Sequence, residues 1–385
     1  MEKLTYYQKN RQKVLNYQSH YYQKNKDKIN KYSNTYYIIN KNKITEKRKI
    51  VQSLKPKKIK NNPQVFLMLK YGMEVSVCVT VLNEEKTISD LIMGLMTQSK
   101  KPNEIVIVDG GSTDRTVKIV KHYQLKYEGI RLIIKKVSRA FGRNISVTAS
   151  KNDIVATTDA GCVPKEDWLE KLTEPFKNSN TEVVAGFYDM VAVSSFQKAL
   201  SIFMGVSPRN FTSNFLPSAR SMAFNKLTFE KMSGFPVLMQ DTAEDTMFVA
   251  NLVRQGTKIV RVKNARVEWK LPETMMEAAR KFYTYAVGDA RSGIWVHPLT
   301  GIWSHNFKAA TIILRYLFAL ILLLLSSSSI IWLLTFTAVV ALYSARSFMK
   351  VYIITKKIKP GLWGILLQFV SDIAVMSGLL RGLLT

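Results

Sequence analysis

The stretch Glu104-Ile105-Val106-Ile107-Val108-Asp109-Gly110-Gly111-Ser112-Thr113-Asp114 decides the fold. A short apolar strand ends on an acid, and two glycines then let the backbone approach a ligand closely. A helix pattern follows over residues 114–123, with Ser112 or Thr113 as its candidate cap. It is no dinucleotide fingerprint, because G-x-G-x-x-G is missing, and no P-loop, because no G-K-[ST] follows. The same pattern recurs on either side. Upstream, Val75, Val77, Val79 and Val81 alternate as a strand, and Ile88, Leu91, Ile92, Leu95 and Met96 fall at helical spacing. Downstream, residues 131–134 read as a strand, 140–150 as a helix, and 154–158 as a strand ending on Asp159. Alternating strands and helices predict an α/β fold with a mostly parallel sheet, whose ligands bind beyond the strands' carboxyl ends. Asp109 and Asp159 both stand there.

Two more acidic points follow. Asp159-Ala160-Gly161-Cys162 can meet a ribose hydroxyl or a hydrated divalent cation through its carboxylate. Glu244-Asp245 precedes the helix pattern Phe248, Val249, Leu252, Val253. Paired acids there suit the helix dipole, and one of them is a candidate general base facing a cleft.

Around this domain lie two segments of different character. Residues 309–343 carry one charge, Arg315, in an apolar run long enough for two membrane-spanning helices, with Ser326 to Ser329 as the turn. Residues 362–384 are a candidate third span that must accommodate Asp372 and Arg381; its Gly378-x-x-x-Gly382 spacing permits close helix packing. Arg346, Lys350, Lys356, Lys357 and Lys359 fall between spans two and three, which predicts a cytoplasmic loop and, two spans back, a cytoplasmic α/β domain. A chain ending near Ser304 is expected to leave the membrane and keep the ligand site of the α/β domain.

The N-terminal segment repeats with a period of 15: Tyr6-Tyr7, Tyr21-Tyr22 and Tyr36-Tyr37, with Asn10, Asn25 and Asn40 in register. Residues 1–60 hold half of the chain's formal charge of +28. They read as a basic helical or disordered repeat whose expected partner is anionic lipid, with nucleic acid less favoured and a solvated tail as the plain alternative. The 385-residue chain is 47% hydrophobic, enough for a core and contrary to a wholly disordered chain. Cys78 and Cys162 are too few for a disulfide scaffold and fit a reducing compartment, and residues 1–10 contain no apolar run of a cleavable signal peptide. The expected division is 1–62 repeat and linker, 73–304 α/β domain, and 305–385 transmembrane region.

Over roughly residues 74–290 the chain resembles the family 2 glycosyltransferases, which have the nucleotide-sugar-binding GT-A fold. The resemblance rests on ordered motifs: the run from Val75 to Glu85, then Asp109-Gly110-Gly111-Ser112-Thr113-Asp114, Gly142-Arg143-Asn144, Asp159-Ala160-Gly161-Cys162, and Glu244-Asp245. It implies that Thr80, Asn83, Glu84 and Asp109 line the nucleotide pocket and that Arg143 lies near the nucleotide or diphosphate. Asp159 then matches the first acid of D-x-D and a metal ligand, and Asp245 the catalytic base, with Glu244 beside it. Arg220, in Pro217-Ser218-Ala219-Arg220, belongs to the acceptor side by the same resemblance, and Arg280 reaches the diphosphate or the acceptor. The implied cofactor is a divalent cation, Mg or Mn. Gly110 and Gly161 replace acids found in many members, and the Q-x-x-R-W motif of processive synthases is missing, which favours one sugar per acceptor.

The expectation is an integral-membrane, inverting glycosyltransferase moving a sugar from a nucleotide-sugar donor to a lipid-linked or glycan acceptor at the cytoplasmic face. The alternatives are transfer to polyprenyl phosphate itself, or an idle α/β domain serving as a membrane tether with a nucleic-acid-binding tail.

Overall fold

A computed structural model describes residues 73–384, apart from 179, 238–242 and 303; the repeat and linker of residues 1–62 lie outside the described residues. β1 (Val75–Val81), α1 (Ile88–Met96), β2 (Glu104–Asp109), α2 (Thr116–Gln124), β3 (Ile130–Ile134), α3 (Arg139–Ala149) and β4 (Ile154–Thr157) come first. β5 (Cys162–Pro164), α4 (Trp168–Thr173), β6 (Val183–Val191), α5 (Ser195–Met204), β7 (Met222–Asn225) and α6 (Lys226–Lys231) follow. The domain closes with α7 (Glu244–Arg254), β8 (Ile259–Lys270) and α8 (Met275–Ser292).

The eight strands form one sheet in the order β3-β2-β1-β4-β7-β6-β8-β5. β1 pairs parallel with both β2 and β4, and β2 pairs parallel with β3. β2 is buried along its whole length, and β1 at every residue but Thr80, as parallel strands covered on both faces must be. The chain leaves β1 toward β2 and β3, then returns to β4 on the other edge of β1. That reversal opens a crevice at the strands' carboxyl ends, between the turn after β1 and the turn after β4. Beyond β4 the pattern changes. β7 runs antiparallel to β4 and β6, while β6 and β8 are parallel.

Helix α2 begins two residues later than its expected start and has neither expected cap. Ser112 Oγ instead accepts from the Asn83 N–H (2.8 Å), and the Thr113 N–H donates to Asn83 Oδ1 (2.8 Å). Asp114 Oδ1 takes the free N–H of Thr116 (2.9 Å). The polar residues of this turn join two loops rather than end a helix.

Among the described residues, three helices are long and apolar enough to cross a membrane: α9 (His305–Leu325), α10 (Ile330–Thr355) and α11 (Ile358–Leu384). The serine turn falls between the first two, as expected. In their apolar windows only 11% and 6% of residues of α9 and α10 are buried, against 39% for α11. The difference comes from the α/β domain. Trp363 of α11 packs edge-on to Phe196 of α5, and Lys350 of α10 sits 3.7 Å from the ring centroid of Phe203, also on α5. At the other end of α11, a Cβ on Gly378 would stand 2.5 Å from the Tyr283 carbonyl, and one on Gly382 would stand 2.6 Å from that of Val287. The Gly378-x-x-x-Gly382 spacing is thus the seam between α11 and α8. A chain cut near Ser304 would lack the helix that packs on α8 and α5.

The charge that made a third span costly is answered within the helices. Asp372 is 1% exposed and accepts from Tyr343 Oη (2.6 Å), Tyr316 Oη (3.2 Å) and Gln368 Nε2 (2.8 Å). One carboxylate thereby ties α9, α10 and α11 together.

Candidate active site

The crevice between β1 and β4 is lined first by loop residues. Asn83 has φ 56°, a left-handed conformation that asparagine tolerates better than most residues, and its side chain and N–H clasp the loop after β2. The Glu84 N–H donates to Thr116 Oγ1 (2.8 Å), and its carboxylate accepts from Thr87 Oγ1 (2.6 Å). Burial pushes the Glu84 carboxyl up, against the pull of that hydroxyl. Asp109 is fully buried; Oδ2 accepts from the N–H groups of Gly111 (2.9 Å) and Ser112 (3.0 Å).

Among the described residues, three buried polar atoms at these strand ends have no hydrogen-bond partner: Thr80 Oγ1, Asp109 Oδ1 and Thr158 Oγ1. An unmet buried polar atom costs about 1–3 kcal/mol, a cost that a ligand's hydroxyls or ring nitrogens would offset.

Helix α3 brings a cation to the acids. A Cβ on Gly142 would lie 2.5 Å from Thr80 Cγ2, so this glycine lets α3 rest directly on β1. The next residue, Arg143, then points into the crevice. Its Nη2 bonds Asp159 Oδ1 (2.6 Å) and its Nη1 bonds Glu244 Oε1. Asn144 closes the motif by pairing with the backbone of Phe235 through both amide atoms (2.8 and 2.9 Å). Burial works to raise the Asp159 carboxyl, but Arg143, Arg220 and Arg139 together outweigh it and hold it below the usual carboxylate range. Burial raises the Glu244 carboxyl, with Arg143 pulling the other way.

Glu244 and Asp245 open α7 but face different surroundings. Glu244 is 3% exposed and is consumed by Arg143. Asp245 is half-buried; its Oδ2 accepts from the Ala219 N–H and the Ser218 hydroxyl, each at 3.2 Å. These donors aim the carboxylate without neutralising it. Of the pair, Asp245 is the one with no ion-pair partner among the described residues.

A second cationic group lies one hydroxyl away. Arg220 Nη1 donates to the same Ser218 Oγ (3.1 Å), and Nη2 to Tyr285 Oη (2.9 Å). Its guanidinium lies 4.3 Å from the Trp269 ring centroid and 5.1 Å from that of Tyr188. Lys281 Nζ stands 5.1 Å from the same Trp269 ring. Burial and the adjacent Arg220 hold Lys281 below the ordinary lysine value, with Glu84 and Asp159 pulling it back.

Of the residues singled out in the sequence, Arg143, Asp159 and Glu244 meet in direct contact, Asp245 adjoins Glu244 in the chain, and Arg220 shares Ser218 with Asp245. Thr80 touches α3 through Gly142, while Asn83, Glu84 and Asp109 form the adjoining loop wall. Arg280 is exposed on α8; its neighbour Lys281 turns toward Trp269. Sequence reasoning missed Thr158, Ser218, Trp269, Lys281 and Tyr285. Only Lys281 and Tyr285 left a signal, being four apart and so on one helix face.

The donor set for a divalent cation is thin. Asp159 spends one oxygen on Arg143, Gly161 carries no carboxylate although a Cβ there would meet nothing within 4 Å, and no cluster of three His, Cys, Asp or Glu side chains exists among the described residues. These residues do not fit a resident metal ion.

Comparison with known proteins agrees with this fold. Residues 76–241 match the family model "Glycosyl transferase family 2" and residues 178–347 match "Glycosyl transferase family group 2". The chain is 28% identical over 116 residues to Glycosyltransferase AglE of Haloferax volcanii, an alignment covering 29% of this chain and 38% of that protein. It is 21% identical over 249 residues to a Methanococcus voltae protein named dolichyl N-acetyl-alpha-D-glucosaminyl phosphate 3-beta-D-2,3-diacetamido-2,3-dideoxy-beta-D-glucuronosyltransferase, covering 58% of this chain and 77% of the other. The fold matches the mannosyltransferase PcManGT of Pyrobaculum calidifontis, solved with GDP-Man and Mn2+, at a TM-score of 0.54 and 18% identity, over 77% of this chain and 86% of that one.

Proposed function

Given that this chain belongs to the family 2 glycosyltransferases by residues 76–241, we propose that it transfers a sugar from a nucleotide sugar to a lipid-linked acceptor, with inversion at the anomeric carbon. The observation that carries this reading is Arg143 joining Asp159 to Glu244, which leaves Asp245 as the unneutralised carboxylate beside the crevice. In this reading Thr80, Asn83, Glu84, Asp109 and Thr158 take the nucleoside, and Asp159 a ribose or sugar hydroxyl. An acceptor hydroxyl oxygen attacks C1 of the sugar as Asp245 takes its proton. The bond from C1 to the phosphate oxygen breaks, and the nucleoside diphosphate departs with the electron pair.

The lipid-linked acceptor is supported by the three candidate spans and by the dolichyl-linked sugar phosphate in the name of the Methanococcus voltae relative. The same reading puts the catalytic domain at residues 73–304 and the membrane part at 305–385. Lys350, near the end of α10, meets α5, which supports a basic end of α10 and start of α11 on the domain's side, and the excess of Lys and Arg there supports reading that side as cytoplasmic. The test is transfer by the full chain in nanodiscs, across uridine, guanosine and thymidine diphosphate sugars, onto polyprenyl-linked acceptors. Turnover of at least one donor that is lost in Asp245→Asn supports the reading. Absence of turnover and of nucleotide binding across the panel would sink it.

A further inference from the structure

A leaving diphosphate needs positive charge, and the described acids of this crevice offer a poor donor set for a metal ion that would supply it. Arg143 cannot serve, because Glu244 and Asp159 already neutralise it. Arg220 and Lys281 are placed differently. Among the described residues neither has a carboxylate within ion-pair distance; the partners of Arg220 are two hydroxyls, and its Nε is buried with no partner. Both cations lie within 5.1 Å of the centroid of one tryptophan ring, which is itself 4% exposed. Two like charges against one buried ring repel each other, and a partly dehydrated guanidinium keeps donors in reserve. A dianion relieves both conditions through charge-assisted hydrogen bonds.

We propose that Arg220 and Lys281, set against Trp269, form a metal-independent site for the diphosphate of the donor. The site rests on the transferase reading above and adds to it how the leaving group's charge is met. Ser218 links it to the base, since its hydroxyl contacts both Arg220 (3.1 Å) and Asp245 (3.2 Å). The lowered proton affinity of Lys281 agrees with a site built for an anion. A lipid-borne phosphate has the same chemistry as the donor's, so the test separates the two.

The experiment is calorimetric titration of the full chain in nanodiscs with UDP, GDP and dTDP, in EDTA and then in Mn2+. Wild type, Lys281→Met, Lys281→Arg and Arg220→Lys are compared, with thermal midpoints to confirm folding. Parallel flotation uses neutral vesicles with and without polyprenyl phosphate. The expected result is nucleoside diphosphate binding that persists in EDTA, is weakened roughly 10- to 100-fold by Lys281→Met, and is largely restored by Lys281→Arg. Inorganic pyrophosphate should compete with it. Binding that requires Mn2+ and ignores both positions overturns the proposal while leaving the transferase reading intact. So does a Lys281→Met variant that loses only polyprenyl phosphate. If wild type binds no nucleotide under any condition, the transferase reading falls and this site falls with it.

Discussion

Arg143 and Glu244, 101 residues apart in the chain, form an ion pair in which both side chains are almost wholly buried, at 7% and 3% exposure. Removing one member of such a pair strands the other's charge in the interior, which typically costs about 3–5 kcal/mol. Arg143→Met should therefore lower the thermal midpoint of the full chain strongly. Arg143→Met with Glu244→Gln should regain part of the loss, because the more deeply buried of the two stranded carboxylates is then uncharged, while Asp159 still lacks its Arg143 partner. Equal midpoints for the single and double variants would mean that the pair is not what holds α3 to α7. The Asp159 arm adds a pH signature. Its carboxyl is lowered, so its contribution is complete above an ordinary aspartate's value of about 3.9 and is lost only as pH falls through the lower folded value. The midpoint should be insensitive to Asp159→Asn only in strong acid.

Asp245→Asn should separate chemistry from binding. The amide oxygen can still accept from the Ala219 N–H, so the loop keeps its anchor. It cannot take a proton, and a positioned base contributes roughly 10²–10⁴-fold. Nucleotide affinity near wild type, with transfer reduced by that factor, is the expected pair of results. Transfer within about tenfold of wild type would move the base elsewhere.

Much of this site was legible in the sequence because its residues end strands. A strand run followed by an acid marks a carboxyl-end crevice, and Asp109 and Asp159 follow β2 and β4 in that way. Gly142-Arg143-Asn144 became legible residue by residue: contact with β1, cation, loop anchor. Lys281 and Trp269 did not, because their meeting joins α8 to β8 and leaves no local spacing. Arg280 drew attention as the more conspicuous cation, yet one residue's step around a helix is about 100° and turns it to solvent. Apolar composition likewise could not tell α11, half pressed on protein, from α9 and α10. Its glycines carried that information, Gly361 and Gly364 toward α10 and Gly378 and Gly382 toward α8.

Lys281 should give nucleotide binding an alkaline limit. Its ammonium is held below the ordinary lysine value of about 10.4, and a bound diphosphate favours the charged form and raises it again. Between those two values binding takes up a proton. Affinity should thus fall as pH rises, beginning below that ordinary value and approaching tenfold per pH unit. Lys281→Arg should flatten the profile, since a guanidinium keeps its proton. A wild-type profile that is already flat to that pH would remove Lys281 from the anion site.

The basic repeat of residues 1–60 should bind anionic membranes without affecting donor binding. Its net charge of +14 attracts such surfaces by about 1 kcal/mol per charge close to the headgroups, fading with salt. Flotation of the isolated 1–60 peptide should rise with anionic lipid content and collapse at high ionic strength, and a full chain lacking it should keep its nucleotide affinity. Equal binding to neutral vesicles would refute the electrostatic account. Tight single-stranded RNA binding with no vesicle binding would change the partner.

The seam between α8 and α11 should couple membrane anchoring to the donor site. Helix α8 presents Lys281 and Tyr285 to the crevice, while the Tyr283 carbonyl and Ala286 lie against Gly378 of α11. A Cβ at position 378 would stand 2.5 Å from that carbonyl and 2.8 Å from Ala286 Cβ. Gly378→Val cannot be absorbed by a flexible side-chain tip, so α8 or α11 must move. Overpacking of this kind costs about 1–3 kcal/mol and shifts backbone. The expected outcome in nanodiscs is a lower thermal midpoint together with weaker nucleoside diphosphate binding, the second effect nearly absent when Lys281→Met is already present. Leu324→Ala, on an exposed face of α9, should change neither quantity. A Gly378→Val chain that loses stability but binds nucleotide like wild type would show that the membrane helices hold the domain without setting the position of Lys281.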